Sequence, residues 1–110
     1  MDQQPNNPTL DKRLELQALL EEIMGNKNVY FQPPSSVSLA YPCIVYSRTS
    51  PRDRFANNDR YLSKDRYSLT VIDRDPDSNI PVNVLKLPMS SLERSFIADS
   101  LNHTVIQLYI

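Results

Sequence analysis

A single glycine, Gly25, stands against nine prolines in this chain of 110 residues. Glycine supplies the left-handed backbone positions of tight turns, and proline removes a donor from any strand ladder. Turns must therefore be made with Asn, Asp, Ser and Pro, which the chain has in plenty. The same scarcity excludes function classes. Phosphate-cradling P-loops and dinucleotide-binding fingerprints need several glycines at fixed spacing, and none can be assembled here.

Gly25 also fixes a boundary. Leu10, Leu14, Leu16, Leu19, Leu20, Ile23 and Met24 recur at helical spacing, with Asp11, Glu15 and Glu22 on the other side. Thr9 or Asp11 is placed to cap this helix, and Gly25 follows the last periodic residue as its αL terminator. Its apolar face is wide enough to predict packing across a sheet. Residues 1–8 are polar or proline after the initiator and are read as a flexible tail, leaving 9–110 as one domain. A chain of this length supports one core.

Val29-Tyr30-Phe31 reads as a short strand stopped by Pro33-Pro34. Pro42 opens a second, from Cys43 to Arg48, rich in β-branched and aromatic residues. In a third, from Arg66 to Asp73, Tyr67, Leu69 and Val71 alternate with Ser68, Thr70 and Ile72. Asp75 to Asn79 marks a turn into a brief helix carrying Pro81 in its first turn and ending by Pro88. Two last strands, Leu92 to Ile97 and Thr104 to Ile110, join through Ala98-Asp99-Ser100, with Ile106, Leu108 and Ile110 on one side. The sum is an α+β fold: a mainly antiparallel sheet, an N-terminal helix, a second short helix and a long β-hairpin arm. No internal repeat or heptad is read.

The chemistry-bearing residues do not assemble into a catalytic set. Asp73, Asp75 and Asp77 match the first three ligand positions of a calcium loop, but Ser78 stands where its glycine belongs and Val84 where its bidentate glutamate belongs. Asp75 and Asp77 are better read as capping the brief helix that follows. His103 is the only histidine and has no identifiable nucleophile beside it; Asp99 and Ser100 suit a turn better than a triad. Cys43 lies in an apolar run, as a buried inert thiol does, and one Cys with one His cannot close a zinc shell. The expectation is no enzyme, no cofactor and no metal. With 12 basic and 13 acidic residues the net charge is −1, too little for a surface that grips nucleic acid. No apolar run of membrane-spanning length and no signal-peptide pattern occurs, so synthesis in a reducing cytoplasm is expected.

Residues 48–66 differ from the rest. They hold six basic side chains (Arg48, Arg52, Arg54, Arg60, Lys64, Arg66) and three acidic ones (Asp53, Asp59, Asp65), a local balance of +3. Connections this long between strands are uncommon and tend to serve a function or remain solvated. Phe55, Tyr61 and Leu62 among the charges suit an arm that docks on a neighbouring subunit or partner, apolar anchors buried and charges setting register; a solvated, partly mobile hairpin is the equal alternative. A phosphate-facing patch is a weaker use, because the aspartates interrupt it.

The stretches Asn28-Val29-Tyr30-Phe31-Gln32-Pro33-Pro34, Tyr41-Pro42-Cys43-Ile44-Val45-Tyr46, and Arg66-Tyr67-Ser68-Leu69-Thr70-Val71-Ile72-Asp73 with Asp75-Pro76-Asp77-Ser78 resemble the small neck and tail-completion proteins of long-tailed phages. The element order is similar to that of the tail-terminator family, which includes the minor tail protein of lambda. The resemblance implies a homo-oligomeric ring, commonly of six copies, on the end of the tail tube. Such a ring stops tube polymerisation and offers a surface to the head-side connector. It implies contacts with the tail tube protein and a head-completion protein, DNA passing through the lumen without specific binding, no membrane, and a place in the virion after assembly in the host cytoplasm. The family carries no cofactor, and the arm is the contact that the resemblance suggests. Another neck component, a head-completion stopper or adaptor, is the alternative; a small regulatory or nuclease-like protein is disfavoured by the missing catalytic set.

Overall fold

The computed structural model describes residues 7–50 and 64–110. Helix α1 spans Pro8–Met24. Its cap is neither Thr9 nor Asp11 but Asn7, whose Oδ1 accepts from the Leu10 amide at 3.2 Å. Pro8 follows in the first turn, where a missing N–H costs nothing. The helix thus takes in Pro8, which the sequence reading gave to the tail. At the other end Gly25 has φ 75° and its amide donates to Glu21 O at 2.9 Å, the left-handed terminator expected of it.

Strand β1 is Val29–Phe31, β2 Cys43–Ser50 and β3 Arg66–Asp73; the short helix α2 is Ile80–Val84; β4 is Ser90–Ala98 and β5 Leu101–Tyr109. They form one five-stranded sheet in the order β1-β2-β3-β5-β4. All pairs are antiparallel except β1 with β2, which run parallel, Val29 beside Ile44 and Phe31 beside Tyr46. The fold is α+β, as the sequence indicates. β2 and β5 are longer than expected at one end, β4 at both, and β4 meets β5 through a two-residue turn, Asp99 and Ser100, both at positive φ. That geometry matches the right-handed twist of the flanking strands without glycine.

Register assigns the faces, because directly paired residues share a side. Ile44, Tyr46, Tyr67, Leu69, Val71, Ile106 and Leu108 line the helix-bearing side and form the core with Leu16, Leu20, Val29 and Val84. The other side holds a smaller group, Cys43, Ile72 and Val105, also buried. α1 buries less than its sequence predicts: Leu16 and Leu20 are fully enclosed, while Leu10, Leu14 and Leu19 stay exposed. Asp75 and Asp77 do not cap α2, whose cap residue is Asn79. Asp73 Oδ1 accepts from the Asp75 amide at 3.0 Å and Asp75 Oδ1 from the Asp77 amide at 2.9 Å, so two of these acids brace the turn itself.

Candidate interaction surface

Three features are candidates for contact with other molecules: the base of the arm, the edge strand β4, and a groove beside α1.

The arm leaves from a bulge. Pairing of β2 with β3 shifts between Arg48 and Ser50. The Thr49 hydroxyl there donates to Arg66 O at 3.3 Å and accepts from Arg66 Nε at 3.0 Å. Arg48 turns to the helix-bearing side. Its Nη2 donates to the Tyr67 hydroxyl at 3.1 Å, and its guanidinium lies 5.3 Å from the Tyr67 ring and 5.6 Å from Phe31. Arg13 of α1 stacks on Phe31 as well, at 4.4 Å. Phe31, Tyr46 and Tyr67 form a tilted row, with centroids 5.0 Å apart for the first pair and 5.9 Å for the second. Two arginines and three aromatic rings thus close one end of the core. Burial raises the pKa of the Tyr46 hydroxyl, with Arg13 pulling the other way, and that hydroxyl donates to Gln17 Oε1 at 2.6 Å.

Asp65 sits within this cluster, 2 % exposed, with Oδ2 4.0 Å from Arg48 Nε. Among the described residues its Oδ1 and Arg48 Nε have no hydrogen-bond partner. A buried carboxylate is costly without compensation, and among the described residues the Arg48 guanidinium offsets part of that cost. Of the residues assigned to the arm contact, Arg48, Lys64 and Arg66 are described. Arg48 and Arg66 are tied to their own domain, and Lys64 stands at the rim of the groove described below. Arg52, Arg54, Phe55, Arg60, Tyr61 and Leu62 lie outside the described residues.

β4 is the outermost strand on its side of the sheet, and every residue from Ser91 to Ile97 is exposed. Leu92, Phe96 and Ile97 are large and apolar, and Ile97 is 73 % exposed. Glu93 is the extra residue where the register shifts, and it pairs with Arg94 at 2.8 Å and accepts from the Gln107 amide. Past this bulge Arg94 and Phe96 face away from the helices, where Phe96 stacks on His103 with centroids 4.6 Å apart. The ring of the only histidine is thus engaged with Phe96, while its Nδ1 lies 3.0 Å from Leu101 O. Leu92 and Ile97 face the helix-bearing side but lie beyond the cover of α1 and α2. The sequence reading took β4 as an ordinary strand of the sheet. Its signal was available, since charges at Glu93 and Arg94 inside an apolar run mark a guarded edge.

The groove, about 240 Å³, opens between α1 and the end of β5 and is walled by Leu16, Leu19, Leu87, Met89 and Ile110. On the surface of α1, Glu15 and Glu22 flank Leu19 at the i−4 and i+3 positions.

Among the described residues no three of His, Cys, Asp and Glu stand together as a metal shell would require, and no helix is long and apolar enough to cross a membrane. Cys43 is fully buried; desolvation first and Asp73 second push its pKa to about 11. What these surfaces offer is contact area. Compared with known proteins, the chain matches no family model, no curated protein and no solved structure.

Proposed function

We propose that this chain is a structural subunit of a tailed-phage particle. Copies of it close into a ring on the end of the tail tube, stop tube growth and join the tail to the head-side connector. Six copies form the ring in the family the sequence resembles. The observation that carries the reading is β4: a nine-residue edge strand, exposed on both faces, holding out Leu92, Phe96 and Ile97. Leu92 and Ile97 stand on the same side of the strand, and apolar side chains held out in this way suit a surface that another molecule covers. The near-neutral charge agrees with a lumen that lets DNA pass without gripping it. A ring needs two different patches that fit each other head to tail, and the exposed β4 strand and the groove beside α1 are two candidates.

The test is assembly. Light scattering of the purified chain is expected to give a mass several times 12.7 kDa, and electron microscopy should show rings that bind the ends of polymerised tail tubes. Binding to isolated connectors but not to tubes would move the protein to a stopper or adaptor role. A monomer at all concentrations that binds neither would end the reading.

A further inference from the structure

Among the described residues β4 has no strand on its outer side. The opposite edge of the sheet is closed to a visitor: β1 has three residues, Val29 O is held by the Gln17 side chain, and Gln32 leaves at φ 45° into Pro33-Pro34. One copy therefore cannot continue its sheet from β1 onto β4 of the next. The sheet edge left to meet β4 is a second β4.

β4 is suited to meet itself. Hydrogen-bonding direction alternates along an antiparallel pair. Met89 O accepts from Tyr109 N, so Ser90 and Leu92 aim their N–H and C=O outward. In the bulge Glu93 and Arg94 together oppose Val105, so beyond it Ser95 and Ile97 aim theirs outward. With the bulge counted as one position, the strand reads alike in both directions from Ser95. Arg94 and Phe96 stand one step away on one face, and Leu92 and Ile97 two steps away on the other.

We infer that in solution β4 pairs antiparallel with β4 of a second copy about a two-fold axis at Ser95. Each Leu92 then lies opposite the partner's Ile97, and each Arg94 opposite the partner's Phe96. Leu92 and Ile97 are 55 % and 73 % exposed, and side chains directly opposite across an antiparallel pair lie about 4.5–5.5 Å apart, so they cover each other. Arg94 already lies 5.5 Å from its own Phe96 ring, and the partner's ring takes its other side. Glu93 is turned back onto Arg94 and Gln107 and does not stand in the way. Registers that keep these faces differ by two residues. One such slip sets Arg94 against Arg94, a repulsive pair, and the other sets Leu92 against Asp99 at the turn.

An isologous contact uses one patch twice and closes at two copies, so the pair stands without the ring reading. On that reading it also holds β4 back, since the pair must part before the strand can serve a ring. A contact of one strand is small among specific interfaces, so the pair should part on dilution.

Ser95→Cys tests the axis. Opposed Cα atoms lie about 5.5 Å apart, within disulfide range, and the native Cys43 is fully buried and does not compete. Mild oxidation of the folded variant, below the concentration at which rings form, should give one covalent species of twice 12.7 kDa. Ser91→Cys, on the same strand and also exposed, should cross-link roughly tenfold more slowly or less, because six steps of about 3.3 Å set its two copies roughly 20 Å apart. No cross-link at Ser95→Cys, equal rates at both positions, or an unaltered chain that weighs one copy throughout a dilution series would overturn the pair and leave the ring reading standing. With the disulfide closed, the variant should build no rings and bind no tube ends, and reduction should restore both. Rings built from closed pairs would overturn the holding back of β4. A variant that cross-links at Ser95→Cys but, once reduced, neither builds rings nor binds tubes would overturn the ring reading and leave the pair.

Discussion

At one edge of the sheet β1 offers three residues and is finished off by its own chain, while at the other edge β4 runs nine residues with little laid over it. The Gln17 side chain donates to Val29 O at 3.1 Å, Ala40 N donates to the Tyr30 hydroxyl at 3.2 Å, and Gln32 turns away at φ 45° into Pro33-Pro34. β4 instead holds its apolar side chains outward and guards its backbone with a bulge and the Glu93–Arg94 pair. Bulges and charges deter indiscriminate strand pairing while leaving side chains free to be covered. The lesson is that the edges do different jobs. The β1 edge is covered by its own chain, whereas on the proposed reading the β4 edge serves association, and substitutions that separate stability from assembly can break that division.

The largest effect should come from the closed side. Tyr46→Ala removes a ring packed on Phe31 and Tyr67 and the hydroxyl that reaches Gln17. By analogy with buried Phe→Ala it is expected to cost about 3–5 kcal/mol in urea unfolding. A loss below about 1 kcal/mol would show that the aromatic row is not what closes this end. Next in size is the protection of Cys43. With its pKa at about 11, against an ordinary 9.0, the folded thiol carries roughly a hundredfold less thiolate near neutral pH. Thiolate is the reactive form, so alkylation at pH 8 should be slow, climb as pH rises toward 11, and become fast in urea. Rapid labelling of the folded chain at pH 8 would mean that β2 opens locally.

A smaller change tests the β1 edge itself. Gln17 donates to Glu21 Oε2 and Val29 O and accepts from Tyr46, so Gln17→Leu leaves the strand carbonyl and the tyrosine hydroxyl short of a partner. The expected loss is about 1–2 kcal/mol by urea unfolding. No loss would show that the helix contributes only apolar contact at this edge.

How much of this was legible follows from the range of the forces involved. Local rules found Gly25 as a terminator, Arg66 to Asp73 as a strand with both bounds right, and Val29-Tyr30-Phe31 as a strand, because φ preference and alternation act over a few residues. The Asn7 cap was missed though Pro8 after it was a usable sign. The reading of Asp75 and Asp77 failed because an acid before a helix can equally brace its own turn. The parallel pairing of β1 and the insertion of β5 between β3 and β4 depend on contacts far apart in sequence, which no local pattern encodes. For the candidate surface, the apolar anchors of the arm were visible as composition. The groove was not, since Leu16, Leu87 and Ile110 meet only in the folded chain.

The smallest expected change in stability is at β4, and it is the one on which the comparison turns. Leu92→Ser and Ile97→Ser alter side chains 55 % and 73 % exposed, so each should shift unfolding by no more than about 0.5 kcal/mol. If these side chains are buried by another molecule in the assembled particle, truncating them removes apolar area from that contact at about 25 cal/mol per Å², a loss that folding does not feel. Sedimentation or light scattering across a dilution series should then show the double variant dissociating, or failing to bind tail tubes, at concentrations where the unaltered chain does neither. A double variant that unfolds early would return β4 to the core and erase the difference between the edges. A double variant that folds, assembles and binds tubes unchanged would leave β4 as exposed surface without a partner, and association would then have to run through another face of the molecule.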